Sequence, residues 1–434
     1  MTAPVADKTV TKRPESLAEV DLFSPGAQEY WFDSYQILHA EAPIHRIPGE
    51  GAAPGTDAFI LVKYDDIALV VRDPDLFPFY NPGEETQAEE IFDKEGFGAV
   101  NSTTNTMRPD IEQHKQHRIQ ITDPWVGSTG SPRHTDMIKR HTNTLIDRWI
   151  GKGEVEFVKE FAAPLPQMVI ETILGFPLDD IPQLREWEEA QVRRFVFGKT
   201  HKNLMTDEEE VENAKTLVAF QQYMKEKLDE KRSNPQDDMV SWLAQVTYHD
   251  RKLTDAEVIG VAYGMHIGGN ETTQYALTAE AYVLAQRPDI WAEIKTDRSK
   301  VRFFVEEALR MYAPTQGLST RRVARDTELR GVKLAKGSLL HLRYGAGNRD
   351  PEEFPDPLDF RLDRPHAGRH LTFSQGPRSC PGSGLSRLEQ NVAINLLLDR
   401  LDEVHFVPGK NDFKHQPGIM LGMYHLDLGF TAAK

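Results

Sequence analysis

The chain reads as a mainly α protein with a smaller β region, an α+β fold. Three observations carry that reading. Helical apolar period runs from about residue 110 to 315 and again from 380 to 401. Strand-forming runs are confined to about 58–72, 320–345 and 404–430, so any sheet must be assembled from distant parts of the chain. The stretch Thr254 to Arg287 keeps helical character over roughly 33 residues, about 50 Å at the rise of an α-helix. Such a helix would cross the whole molecule.

In chain order, residues 1–25 are polar and contain proline, and are expected as a loosely docked arm ahead of a single domain over 26–434. An amphipathic stretch from Glu29 to Ala42 leads to Ala58–Tyr64, a short strand by its β-branched and aromatic content, and then to a helix over Asp65–Arg72. Residues 79–109 are rich in Gly, Asn, Thr and Pro without sustained period, and a loop of that length is usually functional or disordered. The helical middle is punctuated by Pro164, Pro177, Pro182 and Asn234-Pro235. Within it, Thr254-Asp255-Ala256-Glu257 is a capping box that opens the long helix, and Pro288 supplies its stop. Strands return at Thr320–Val323, Thr327–Leu334 and Ser338–Tyr344; a turn-rich meander covers Asn348–Pro357; a last helix follows Cys380.

Composition excludes several classes. A chain of 434 residues with 39% hydrophobic and 27% charged content is that of a soluble globular protein. Its net charge of −16, without a basic cluster, argues against nucleic acid. No run approaches the roughly 20 apolar residues of a membrane span, and the first residues lack the apolar core of a signal peptide or anchor. A single cysteine rules out an internal disulfide and fits a reducing compartment, so a cytoplasmic protein is expected.

That cysteine, Cys380, lies in Phe373-Ser374-Gln375-Gly376-Pro377-Arg378-Ser379-Cys380-Pro381-Gly382, just ahead of a helix. Unpaired N–H groups and the positive end of a helix favour a thiolate there. Flanking Gly376 and Gly382 leave room for a large planar ligand. The segment resembles the heme-binding loop of the cytochrome P-450 family, Phe-Gly-x-Gly-x-(His/Arg)-x-Cys-x-Gly: Phe373, Gly376, Arg378, Cys380 and Gly382 match, and Ser374 stands where the family usually has Gly. A lone cysteine is often just a small buried hydrophobe. Five matches in a ten-residue frame set this one apart.

The centre of the long helix, Gly268-Gly269-Asn270-Glu271-Thr272-Thr273, is the second station. Two glycines inside a helix cost about 1 kcal/mol each relative to Ala, which makes sense where a ligand must come close or a bulge must open. The run resembles the family's (Ala/Gly)-Gly-x-(Asp/Glu)-Thr element. The resemblance implies that Gly268 forms an oxygen groove while Glu271 and Thr272 manage protons during dioxygen activation. Glu307-Ala308-Leu309-Arg310 resembles the family's Glu-x-x-Arg helix, with Arg364 from the meander as third partner. Heme propionates need cations. His114 and Arg118 resemble the family's His-x-x-x-Arg, and with Arg321 (or its neighbour Arg322) and Arg378 they give four candidates.

By family topology, Gly264, Ile267, Gly317, Leu318, Ile419 and Met420 would line an apolar substrate pocket, with Phe195, Val196 and Phe197 in its lid. The resemblance as a whole implies a triangular-prism fold with a long helix over heme b and a monooxygenase activity. It implies C–H hydroxylation or O-dealkylation of an apolar small molecule with O2. No nicotinamide or flavin fingerprint is present, so electrons are expected from an external ferredoxin and its reductase, docking near Lys115 and Arg387. A monomer is expected. A peroxide-driven peroxygenase and a heme-thiolate sensor without turnover are the alternatives, and Glu271-Thr272 speaks against both.

Overall fold

The computed structural model describes residues 9–80, 87–99, 107–108, 110–197, 205–317 and 319–433, with backbone alone at 195–197 and 319. The mainly helical α+β architecture expected from the sequence is observed. In chain order its principal elements are α1 (Trp31–Glu41), β1 (Ile44–Ile47), β2 (Ala58–Leu61), α2 (Tyr64–Arg72), α3 (Gln87–Glu95) and α4 (Ile111–His117). Then come α5 (Thr135–Trp149), β3 (Glu154–Glu156), α6 (Pro164–Leu174), α7 (Ile181–Phe197), α8 (Asp207–Ser233), α9 (Asp255–Gly269) and α10 (Glu271–Gln286). The chain closes with α11 (Pro288–Thr296), α12 (Val301–Met311), β4 (Ser319–Arg322), β5 (Leu339–Leu342), α13 (Ser383–Arg400), β6 (Leu401–Phe406) and β7 (Asp427–Ala432).

A four-stranded sheet has the order β1-β2-β5-β4. Its central pair is parallel, with Ala58 opposite Leu339 and Leu61 opposite Leu342. All four residues of β2 are buried, as a strand covered on both faces requires. Alternation sends Phe59 and Leu61 into one apolar cluster and Ile60 and Val62 into another. That second cluster also takes Val10, Leu17, Val20, Leu22 and Phe23, and the Trp31 indole donates to the Leu22 carbonyl at 3.1 Å. The segment before α1 is therefore packed from Val10 onward. The second sheet, β6-β7-β3, is antiparallel.

The helices enclose one large apolar core. On α12 the residues Val301, Phe304, Val305, Ala308 and Leu309 follow the helical repeat and are all buried. The long central helix differs from expectation: it is two helices, broken at Asn270, whose backbone stands at φ −102°, ψ −79°. The capping box at its start is formed, with Glu257 N donating to Thr254 Oγ1 at 3.3 Å and Thr254 N to Glu257 Oε2 at 2.8 Å. The break follows Gly268-Gly269, the pair with the weakest helical preference in the run. No described helix is long and apolar enough to cross a membrane.

Candidate active site

Cys380 is half-buried, three residues ahead of α13, and its N–H donates to the Phe373 carbonyl at 2.8 Å. Burial pushes the thiol up, while the N–H groups of Gly382 and Ser383 and the guanidiniums of Arg118 and Arg387 pull the other way. These donors favour the thiolate, the form that ligates a metal. The glycines around it have distinct reasons. Gly376 sits at φ +73°, where a Cβ would press on Arg72 Cα and Val71 O at 3.1 Å. A Cβ on Gly382 would come within 4.0 Å of the Cys380 sulfur. Ser374 occupies φ +57°, ψ −171°, a region natural to glycine, and this is where the family pattern carries one.

Beside this loop the structure gathers cations. Arg118 donates to the Ser379 carbonyl at 2.7 Å and pairs with Asp123 at 3.0 Å. His114 is buried, and neither ring nitrogen completes a hydrogen bond among the described residues. Burial, then Arg108, Arg378 and Arg118, hold it down at about 4. Arg321 is buried and Arg322 exposed, which resolves the register between them; the Arg321 guanidinium lies 3.5 Å over the Phe79 ring, with that of Arg378 at 5.9 Å. Arg108, not anticipated from the sequence, belongs to the same group: its Nε is buried without a partner among the described residues, and burial followed by Arg378 and Arg118 lowers it to about 10. Crowded, under-partnered buried cations are costly unless anions join them. Two heme propionates fit that need.

On α9 two small residues stand one turn apart. A Cβ on Gly264 or Gly268 would meet nothing within 4 Å. Gly269 differs, since its Cβ would lie 3.1 Å from Ile170 on α6, so it serves close packing. At the break, Thr272 Oγ1 donates to the Gly268 carbonyl at 3.1 Å. Glu271 accepts from Tyr275 Oη at 2.7 Å. Burial raises Glu271 to about 7 despite that hydrogen bond, so it can hold or release a proton near neutral pH. Tyr275 is four residues after Glu271, a helical spacing that could have identified it. It packs with Ile419 and Met420. Met420 also bridges Thr315, whose Oγ1 lies 3.6 Å from its sulfur.

The other anticipated positions fall as follows. Ile267 is partly buried, and Gly317 packs against Arg343, 2.7 Å from where its Cβ would be. Leu318 lies outside the described residues, as do the side chains of Phe195, Val196 and Phe197. Glu307, Arg310 and Arg364 are brought together and fully buried: both Arg310–Glu307 bonds are 2.8 Å, and Arg364 Nε reaches the carboxylate at 2.8 and 3.0 Å. Asp359 contributes its carbonyl to both guanidiniums, not its side chain. Arg387 is already held by Glu306 at 2.6 and 3.0 Å, whereas Lys115 is exposed.

A cysteine before a helix, a cationic cradle beside it, and a broken helix with open glycine faces whose Thr273 Oγ1 lies 3.1 Å from Ser386 Oγ on α13 together suit a flat, dianionic metal cofactor. Comparison with known proteins gives it a family. The sequence model of Cytochrome P-450 matches residues 190–428. The biotin biosynthesis cytochrome P-450 of Bacillus subtilis is 32% identical over 378 residues, 86% of this chain and 90% of that protein. The cytochrome P-450 monooxygenase PikC of Streptomyces venezuelae is 27% identical over 382 residues, 86% and 84% of the two chains. Among solved structures, P-450BioI bound to an acyl carrier protein carrying hexadec-9Z-enoic acid matches at TM-score 0.79 and 26% identity, covering 93% of this chain and 98% of that one. CYP108D1 of Novosphingobium aromaticivorans matches at TM-score 0.79 and 27% identity, covering 95% and 97%. This chain belongs to the cytochrome P-450 family. It is a monooxygenase whose cofactor is heme b, acting with O2, an organic substrate and a redox partner.

Proposed function

We propose that the protein inserts one oxygen atom of O2 into a C–H bond of an apolar or amphipathic small molecule, or begins an O-dealkylation, with electrons from an iron–sulfur ferredoxin. It would work as a cytoplasmic monomer. The observation that carries this reading is the helix break, where Thr272 bonds the Gly268 carbonyl and a half-buried Glu271 is held at about 7. Bound heme supplies the iron at which dioxygen is reduced and from which oxygen reaches the substrate. Cys380 would hold that iron; His114, Arg108, Arg321 and Arg378 would hold the propionates, and Arg118 would brace the loop through Ser379. Glu271 would take protons from the protein interior and pass them toward the Thr272 hydroxyl, which orients the acceptor. Gly264 and Gly268 would leave room for substrate and oxygen, and Ile267, Ile419 and Met420 would add apolar wall.

The names of two similar proteins bear on substrate class: one belongs to biotin biosynthesis and one is solved with a fatty acyl group on its carrier protein. A long acyl chain is accordingly the first substrate to try. The test is reconstitution with ferredoxin, its reductase and NADPH on a panel of fatty acyl compounds, steroids and terpenes. Oxygenated product that depends on all three supports the proposal, and product formed with peroxide alone at a higher rate overturns the ferredoxin assignment. Cys380→Ala should abolish the far-red carbon-monoxide band of the reduced protein.

A further inference from the structure

α7 packs against α9, and Leu184, Glu188 and Gln191 recur along it at one-turn spacing. Leu184 is fully buried and Glu188 is 6% exposed. Among the described residues two hydrogen bonds cross the interface. Tyr263 Oη donates to Gln191 Oε1, and Asn270 Nδ2 donates to Glu188 Oε2. The second falls at the residue where the central helix breaks. Asn270 itself is 3% exposed.

We propose that Glu188 is a positioning residue for oxygen activation: its carboxyl grips Asn270 at the helix break and so fixes where Glu271 and Thr272 stand relative to Gly268. The inference rests on the reading of Glu271 and Thr272 as the proton relay. It adds a residue 82 positions away from Asn270 in sequence, on a different helix.

The geometry supports an acid–amide pair. Glu188 Oε1 and Asn270 Oδ1 are both buried without a partner among the described residues. A neutral carboxylic acid would satisfy both, accepting from the amide N–H through one oxygen and donating to the amide oxygen through the other. Burial, reinforced by Glu271 and Glu171 and opposed by His266, raises Glu188 to about 8, which keeps that proton in place at neutral pH. Behind Glu188, His266 and Glu171 are fully buried, with Nδ1 and Oε1 2.8 Å apart. A backbone that leaves helical geometry inside a helix needs something to hold the departure, and no residue of α9 or α10 is hydrogen-bonded to the Asn270 side chain.

The experiment compares Glu188→Leu, Glu188→Gln and Asn270→Ala in the heme-loaded enzyme. The first readout is amide hydrogen exchange over residues 266–274, with residues 383–400 as internal reference. The second is the partition of electrons between product and released hydrogen peroxide. Glu188→Leu, which removes both bonds of the pair, should speed exchange over 266–274 by at least about tenfold, with the reference unchanged. It should also raise peroxide release several-fold. Glu188→Gln, which keeps both bonds in amide form, should rescue both readouts to within about twofold. Asn270→Ala should reproduce the leucine phenotype, and the double variant should be no worse than either single. Wild-type exchange and coupling in Glu188→Leu overturn the proposal, and so does failure of the glutamine rescue or a fully additive double variant. If Glu188→Leu does not take up heme, Asn270→Ala carries the same test from the other side of the pair. Thr272→Ala separates the layers: unchanged coupling there removes the relay reading itself, whatever Glu188 does.

Discussion

Ser374 shows how a single residue can carry strain into a site. Its φ of +57° with ψ near −171° belongs to glycine, and its hydroxyl recovers only a 3.3 Å bond from Tyr344 Oη. Backbone held there costs of order 1–3 kcal/mol. Ser374→Gly should therefore raise the unfolding free energy by about 1 kcal/mol, measured by urea denaturation of the heme-loaded protein. An unchanged or lower midpoint would mean the hydroxyl is worth more than the strain. Gly264 poses the opposite question. A Cβ there meets nothing within 4 Å, and a helix interior favours leucine over glycine. Gly264→Leu should hold or gain about 1 kcal/mol in stability while weakening apolar ligands by at least about tenfold in spin-state titrations. Equal ligand affinity would show that this face does not line the pocket.

Among elements, α12 and the meander are joined by one carboxylate. Glu307 receives four bonds from Arg310 and Arg364, and a fifth from the Arg361 N–H at 3.1 Å. Remaining guanidinium donors go to the carbonyls of Asn348, Pro355, Asp356, Pro357 and Asp359. Removing the carboxylate leaves two fully buried cations without an anion. Glu307→Ala should cost about 3–5 kcal/mol, read as loss of soluble heme-bound protein at 37 °C or a large fall in denaturation midpoint. A midpoint within 1 kcal/mol of wild type would contradict a locking role. The α12 pair could be read from its i, i+3 spacing, and Arg364 from family likeness. By contrast, α2 has its N-terminus capped by Asp350, whose Oδ2 accepts from Tyr64 N at 2.9 Å while Lys63 pairs with the same carboxylate at 3.1 Å. Local sequence offers Asp65 and Asp66 for that task, and carries no sign of a partner 286 residues away.

Taken as a whole, the molecule buries acids of two kinds, and they bend its stability in opposite directions with pH. Burial raises Glu188 to about 8 and Glu271 to about 7, and raises Glu280 and Glu389 strongly as well. Between their ordinary value near 4.5 and these raised values the folded chain binds more protons than the unfolded one. Their contribution is thus complete at the acid end of that window and lost as pH rises through it. Glu306 behaves the other way. Burial opposes its charge, but hydrogen bonds from His370 and Arg387 outweigh burial and hold it at about 2. Its contribution is present above about 4.5 and lost as pH falls toward 2. Denaturation midpoints across this range should show both limbs, with Glu188→Gln flattening the alkaline one and Glu306→Gln the acid one. A limb that keeps its slope in the matching variant assigns it to other groups.

Short-range chemistry was enough to establish the helical class, the strand segments, the capping box, the cysteine loop and the Gly-Gly-x-Glu-Thr run, because each is made by residues a few positions apart. It could not supply Arg108 in the cationic cradle, the Asp350 cap, or Glu188 against Asn270. The glycine pair marked a place where a bulge could open, but not that one helix ends and another begins at Asn270, where Glu188 of α7 accepts from its side chain. Those features depend on desolvation and on polar groups meeting across the core, and burial exists only once distant segments have packed together.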